Sequence, residues 1–239
     1  MQNQPLEILL DDGPCLIVNK PAGLLTQAPR GIDSLEIWVK EFYRQREGKP
    51  ADAKLYLGLA HRIDRPVTGA IVFGRHVRAT RKLCSQFSNR TVSKTYWAFV
   101  EGNVTPDEGT WKDYLHKCQG MAQSELVDAD HPDAKHAILH YRVLWRSPVG
   151  TWLEIELETG RTHQIRVQAA SRGHAVVGDS QYGSTVPFGE QHPEIRDRAI
   201  ALHARQLGFR HPMTDEPIDV TAPLSKDWEA LNLPAELIS

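Results

Sequence analysis

The stretch Ala60-His61-Arg62-Ile63-Asp64-Arg65-Pro66-Val67-Thr68-Gly69 constrains this chain more than any other. A short strand pattern, Leu55 to Ala60, runs into it, and the apolar run Ala70-Ile71-Val72-Phe73 follows it. Pro66 and Gly69 punctuate the loop between two buried strands. One carboxylate, Asp64, thus stands between the guanidiniums of Arg62 and Arg65 on a loop held against a core. Desolvating such a group is costly, which leaves two readings open. It is a structural ion pair that pins the loop. Or it is a catalytic aspartate that neighbouring cations keep ionised by lowering its pKa.

At 239 residues the chain can bury a sizeable core as one large domain or two small lobes. No linker, repeat or low-complexity segment divides it, so 1–239 reads as a single domain. Cys15, Cys84 and Cys118 are widely spaced and form no CxxC pair, which indicates neither a disulfide framework nor a zinc site. No apolar run approaches the length of a membrane span. The N-terminus, Met1-Gln2-Asn3-Gln4-Pro5, lacks the charged and apolar regions of a leader. The expected compartment is the cytoplasm.

The net charge of −2 conceals an uneven chain. Between His61 and Lys94 the basic residues are Arg62, Arg65, Arg75, Arg78, Arg81, Lys82, Arg90 and Lys94, against the single acid Asp64. From Glu101 to Asp133 the balance reverses, with eight acids against Lys112 and Lys117. A basic segment in a mildly acidic protein is either an electrostatic footprint for a polyanion or a solvated helix face.

Periodicity predicts two short strands about Asp11-Asp12-Gly13-Pro14, then a helix capped by Ser34 through Leu35, Trp38, Val39 and Phe42. A second helix spans His76 to Asn89, and a β-branched and aromatic strand spans Ser93 to Gly102. Thr105 to Asp133 is polar and weakly periodic and reads as loop-rich surface. Ala137 to Leu144 and Thr151 to Leu157 form a hairpin, and Gly160 opens a turn into an amphipathic helix closed by Arg172-Gly173. Two last strands, from Leu202 and from Ile218, precede a closing helix capped by Asp227. Hairpins dominate and helices do not separate strands regularly, so the fold class is α+β.

Several enzyme templates are missing: G-x-S-x-G, G-x-x-x-x-G-K-[ST], G-x-G-x-x-G after a strand, and H-E-x-x-H. Eleven histidines are present, but none has a second metal ligand at useful helical spacing. Paired-carboxylate hydrolysis needs a second acid near Asp64, and the local sequence supplies none.

His61-Arg62-Ile63-Asp64-Arg65 resembles the H-R-[LI]-D-R signature of the RluA family of RNA pseudouridine synthases. The resemblance spans nearly the whole chain. It takes in Val18-Asn19-Lys20-Pro21-Ala22-Gly23, Lys94-Thr95-Tyr96, and Gly160-Arg161-Thr162-His163-Gln164-Ile165-Arg166. Val177-Gly178-Asp179, Tyr182-Gly183 and Leu202-His203-Ala204 complete it. Each piece is weak alone; in this order and at these intervals they are specific. The chain departs from the family at Gln168-Ala169, where His-Leu is usual, and the small RNA-binding domain that many members carry at their N-terminus is not expected from this sequence.

The resemblance implies a long, mainly antiparallel sheet with flanking helices and a central cleft. It also implies a reaction: a uridine within ribosomal or transfer RNA loses its bond at C1′ and is rejoined through C5. A base must leave its stack for this. By resemblance Arg62 fills the vacated position, where a planar guanidinium can stack and hydrogen-bond. Asp64 acts at C1′, as nucleophile or by driving elimination, and either route needs an ionised carboxylate. Arg166 is implied as its salt-bridge partner, Tyr96 as the group against the uracil and a relay for the C5 proton, and Leu202 as an apolar wall. Lys20-Pro21 and Gly160 are assigned to turns, and His163 to a hydrogen-bonded helix position. The chemistry calls for no cofactor and no metal. The expected partner is RNA, not DNA or membrane, and the expected state a monomer. The rival is a catalytically silent RNA-binding protein that retains the fold; a hydrolase using Asp64 ranks last for want of a general base.

Overall fold

A computed structural model of the chain describes residues 6–238; the N-terminal pentapeptide lies outside them. Its strands are β1 (Glu7–Asp12), β2 (Cys15–Lys20), β3 (Gly58–Leu59), β4 (Thr68–Gly74), β5 (Ser93–Glu101) and β6 (Glu108–Lys117), followed by β7 (Ser124–Val127), β8 (Lys135–Arg146), β9 (Gly150–Leu157), β10 (Leu202–Arg210) and β11 (Pro217–Thr221). Three α-helices join them: α1 (Leu35–Arg46), α2 (Val77–Ser88) and α3 (Gln164–Ala170). Most of the strand pairings are antiparallel and many are hairpins, in keeping with the α+β reading.

Two compact units share the chain. The first takes the described residues up to Ser93 together with Ala204–Leu224; the second takes Lys94–His203 and the described residues from Ser225.

In the first unit, Gly13 (φ 51°) turns β1 back into β2 through a two-residue turn. β2 then pairs with β4 from Cys15↔Gly74 to Lys20↔Gly69. Both strands read as unbroken apolar runs because both are buried throughout their central residues. Cys15, Ile17, Ala70 and Val72 pack with Leu83 of α2 and with Leu207 and Phe209 of β10. Gly69 stands at φ 119°, and a Cβ there would collide with the backbone of Ala204, so only glycine fits the start of β4. The strand expected over Leu55 to Ala60 shortens to β3, leaving the chain free to loop from Ala60 onward.

The second unit orders its strands β5-β9-β8-β6-β7. Here the expectation of loop-rich surface over Thr105 to Asp133 is corrected, since β6 and β7 both lie within it. The inward positions of β6 are Gly109, Trp111, Asp113 and Leu115, and two of the four are not apolar, which erases the alternation. Gly109 is there because a Cβ would press on the Tyr141 ring at 2.9 Å. Asp113 is there to hold Arg172 and Gln168. The closing helix is a short 3-10 turn, Lys226–Leu231, with Ser225 in place of Asp227 at its N-cap position and no side-chain capping bond; Ser225 Oγ donates to Asp227 Oδ2 instead.

Candidate active site

The loop carrying Asp64 is fixed by three anchors from the end of β2 and the β2–α1 connection, all within the first unit. Thr26 is buried, and its hydroxyl accepts from the Ile63 amide (3.2 Å) and donates to the Ile63 carbonyl (2.9 Å). Arg65 Nε donates to the Gly23 carbonyl at 2.8 Å. Lys20 Nζ donates to the carbonyls of Pro21 (2.8 Å), Leu24 (2.8 Å) and Arg65 (3.1 Å). The Asp64 carbonyl accepts from Val67 N at 3.1 Å, closing the turn over Pro66. The loop's conformation therefore rests mainly on bonds to its backbone. Its two central charged side chains, Arg62 and Asp64, point to different surroundings: Arg62 is exposed and Asp64 half-buried.

Lys20 ties the turn after β2 to this loop. It is fully buried, and burial pushes its pKa down from 10.5 to about 7. The Asp64 carboxylate pulls in the opposite direction, favouring the ammonium, while the Arg65 guanidinium adds to the lowering. Sequence reasoning assigned Lys20 to a turn. Its side chain instead ties that turn to the Asp64 loop and puts a second cation within electrostatic reach of the carboxylate. A lysine followed by Pro-Ala-Gly gives no sign of this, because the burial comes from strand pairing distant in sequence.

His61 faces the other way. Its Nε2 accepts from Val72 N at 3.1 Å, and its ring stacks on Phe87 of α2 at 4.4 Å and 18°. The segment leading to Asp64 is thereby joined to both β4 and α2.

In the second unit the Gly160–Arg166 turn is built by Gln164. Its side-chain oxygen accepts from Thr159 Oγ1 (2.8 Å) and Arg161 N (3.0 Å), and its amide donates to Ile138 O (3.0 Å). His163, at φ 53°, starts α3 from the left-handed region, and its Nδ1 pairs with Tyr182 Oη at 2.9 Å. That is the hydrogen-bonded position expected of it. α3 is buried from Gln164 to Ala169, where an amphipathic face was expected, because the helix is short and enclosed on nearly every side.

Arg166 lies on this helix, 3% exposed. It meets the 2% exposed Asp179 in a two-point ion pair: Nε to Oδ2 at 2.6 Å and Nη2 to Oδ1 at 2.8 Å. Nη2 also donates to Gln181 Oε1 at 2.8 Å, and the guanidinium carbon sits 4.9 Å from the Tyr182 ring centre. Asp179 and Gln181 hold Arg166, a part that sequence reasoning did not assign to them. The signal was present in Gly178-Asp179: Gly178 (φ 88°) permits a bend that a Cβ would block against Phe188. Tyr96 is half-buried on β5 opposite Ile155 of β9, and Leu202 is buried at the start of β10. Arg62 and Asp64 thus belong to the first unit, and Tyr96, Arg166 and Leu202 to the second.

Among the described residues no group of three or more His, Cys, Asp or Glu side chains could hold a metal ion, and no helix is long and apolar enough to cross a membrane.

Residues 14–171 match the family model described as RNA pseudouridylate synthase. An uncharacterised RNA pseudouridine synthase of Synechocystis is 33% identical over 230 residues, which cover 96% of this chain and 69% of that one. The ribosomal large subunit pseudouridine synthase D of Zymomonas mobilis is 31% identical over 234 residues, 96% and 73% of the two chains. Among solved structures, the human RNA pseudouridylate synthase domain containing 4 aligns with a TM-score of 0.75, 22% identity, and coverage of 95% and 94%. That last likeness concerns the fold, and it agrees with the α+β pseudouridine synthase architecture expected from the sequence. With its fold, its H-R-I-D-R loop and these relatives in agreement, the chain belongs to the RNA pseudouridylate synthase family, whose members are RNA-modifying isomerases.

Proposed function

We propose that the protein isomerises a specific uridine in structured RNA, ribosomal or transfer, to pseudouridine. Relatives named as ribosomal large subunit pseudouridine synthases favour a ribosomal target. The observation that carries the reading is the Asp64 loop: a half-buried carboxylate on a backbone held by Thr26, Arg65 and a fully buried lysine. A protein that only bound RNA would have no use for so costly an arrangement. We assign Asp64 the step at C1′, Arg62 the place of the extruded uridine, and Tyr96 the face of the uracil with a path for the C5 proton. Arg166 serves as the cation for Asp64, and Leu202 as apolar lining. The glycosidic bond from N1 to C1′ breaks, C5 bonds to C1′, and the proton lost from C5 is balanced by one gained at N1. The whole chain acts as one catalytic domain, as a cytoplasmic monomer on RNA rather than DNA, without a cofactor.

The test is a map of pseudouridine across total RNA from cells with and without the gene. Loss of one or a few sites, restored by wild type and not by Asp64→Asn, is the expected result. An unchanged map, with RNA still bound by the purified protein, would favour the silent-binder alternative.

A further inference from the structure

The cations of the two long helices are treated differently. On α1, Lys40 pairs with Glu36 at 2.5 Å and Arg44 with Glu41 at 3.3 Å, each one turn away. On α2 there is no acid at all: the helix reads Val-Arg-Ala-Thr-Arg-Lys-Leu-Cys-Ser-Gln-Phe-Ser. Arg78, Arg81 and Lys82 are exposed, and no carboxylate among the described residues pairs with them. This is unfavourable on three counts. Arg78 sits in the first turn, where the helix dipole repels a cation. Arg78 and Lys82 are like charges four residues apart. No acidic residue three or four positions away offsets either.

The opposite face is seated closely. Ala79, Thr80 and Leu83 are buried, and Thr80 Oγ1 donates to the carbonyls of Gly74 (3.4 Å) and His76 (3.1 Å). Gly58 and Gly74 admit Thr80, since a Cβ on either would collide with it. The same helix grips the approach to Asp64: Cys84 Sγ donates to Leu59 O at 3.7 Å, and Phe87 carries the His61 ring. The outward direction of the three cations is therefore fixed relative to the Asp64 loop.

We infer that the outer face of α2 is a phosphate footing for the RNA backbone flanking the target uridine. Arg78, Arg81 and Lys82 neutralise backbone phosphates there. A phosphodiester chain is the occupant that removes all three unfavourable terms at once. Because α2 is joined to the loop through Phe87 and Cys84, a backbone held on this face is held in register with Asp64. The footing thus contributes to choosing which uridine is presented. The inference rests on the proposed function.

The test uses full-length protein and a target stem-loop prepared in stepwise longer forms. With wild type, the slope of log affinity against log salt should steepen at the length where the RNA reaches α2. In the Arg78→Gln, Arg81→Gln, Lys82→Gln variant that extra slope should vanish. Each phosphate contact is worth roughly 0.7–0.9 in slope, so for three contacts about two to three units are lost, and the affinity ratio between about 50 and about 200 mM salt falls roughly twenty- to fortyfold. Arg78→Lys with Arg81→Lys should keep the slope, since a phosphate footing needs only charge. Lys112→Gln, Lys117→Gln, Lys135→Gln, the same loss of charge elsewhere, should also keep it. An unchanged slope in the α2 variant, or an equal loss in the control variant, overturns the footing. Pseudouridine formation by wild type on the same RNAs is scored separately. Its absence would count against the function and leave the salt result to judge the footing.

Discussion

Arg166 and Asp179 form a two-point ion pair with both side chains almost wholly out of solvent, the guanidinium edge giving 2.6 and 2.8 Å contacts. A pair of this kind contributes little net stability, because desolvation offsets the attraction. Breaking it is a different matter. Asp179→Ala leaves a buried guanidinium short of its counter-charge and should cost about 3–5 kcal/mol in urea unfolding. Arg166→Met with Asp179→Leu should cost less than either single replacement, since neither member of this pair is then left facing an uncompensated partner. Activity separates orientation from packing. The double variant should be inactive though stable, whereas Asp179→Asn should retain the fold and lose turnover by about a hundredfold from a misplaced Arg166. Wild-type turnover in the double variant would show that this pair serves the fold alone.

Asp64→Asn is nearly isosteric, and the loop's anchors are to other residues' backbone and to Thr26, so the fold and RNA binding should survive. An amide cannot act as nucleophile or carry the negative charge the C1′ step needs. Pseudouridine formation should fall by at least about a hundredfold under single-turnover conditions. Residual turnover above that level would remove Asp64 from the chemistry.

Lys20 makes stability depend on pH in a predictable direction. Its pKa in the folded protein is about 7, below the ordinary 10.5. Between those values the unfolded chain holds a proton that the folded chain does not, so stability rises with pH across the window. Below about 7 both states hold it, and the cost of the buried ammonium is fully present. Lys20→Met removes the titration, so the difference in unfolding free energy between wild type and variant should shift by a few kcal/mol in favour of wild type from pH 7 to pH 10. Taking the difference cancels other groups, including Cys15, whose thiol burial pushes up to about 12. A flat difference would mean that Lys20 keeps its proton throughout.

Much of this arrangement was legible in the sequence, and the failures have physical causes. Strands β2 and β4 stood out because burial on both faces makes them continuous apolar runs. The loop between β3 and β4 stood out because Pro66 and Gly69 bound it. β6 did not, since Gly109 and Asp113 occupy inward positions for reasons that lie on β8 and α3. Lys20 and Asp179 were visible as residues but not in their roles. A lysine's burial and a carboxylate's partner are set by pairing across the fold; the glycine before Asp179 marks the bend there but not the guanidinium it meets.

Arg62 is exposed while the residue two positions on is half-buried, so its role can be separated from that of Asp64. If Arg62 occupies the gap left by a flipped uridine, it acts on the RNA's conformational equilibrium, which costs a few kcal/mol to shift in a structured stem. Arg62→Ala should depress single-turnover rates strongly on a structured stem-loop and mildly on a matched RNA whose target uridine is already extruded. Equal losses on the two RNAs would mean that Arg62 acts through Asp64.

The hydroxyl of Thr26 holds both the amide and the carbonyl of Ile63, the residue between Arg62 and Asp64. It works as a rivet through the middle of the tripeptide. Load applied at Arg62, as when a side chain is driven into a stacked helix, passes into the β2–α1 connection before it reaches the carboxylate. If Arg62 is the wedge and Asp64 the reactive group, as proposed, the two can be close neighbours without the recoil of one spoiling the aim of the other. Valine at position 26 would fill the same space and remove that insulation.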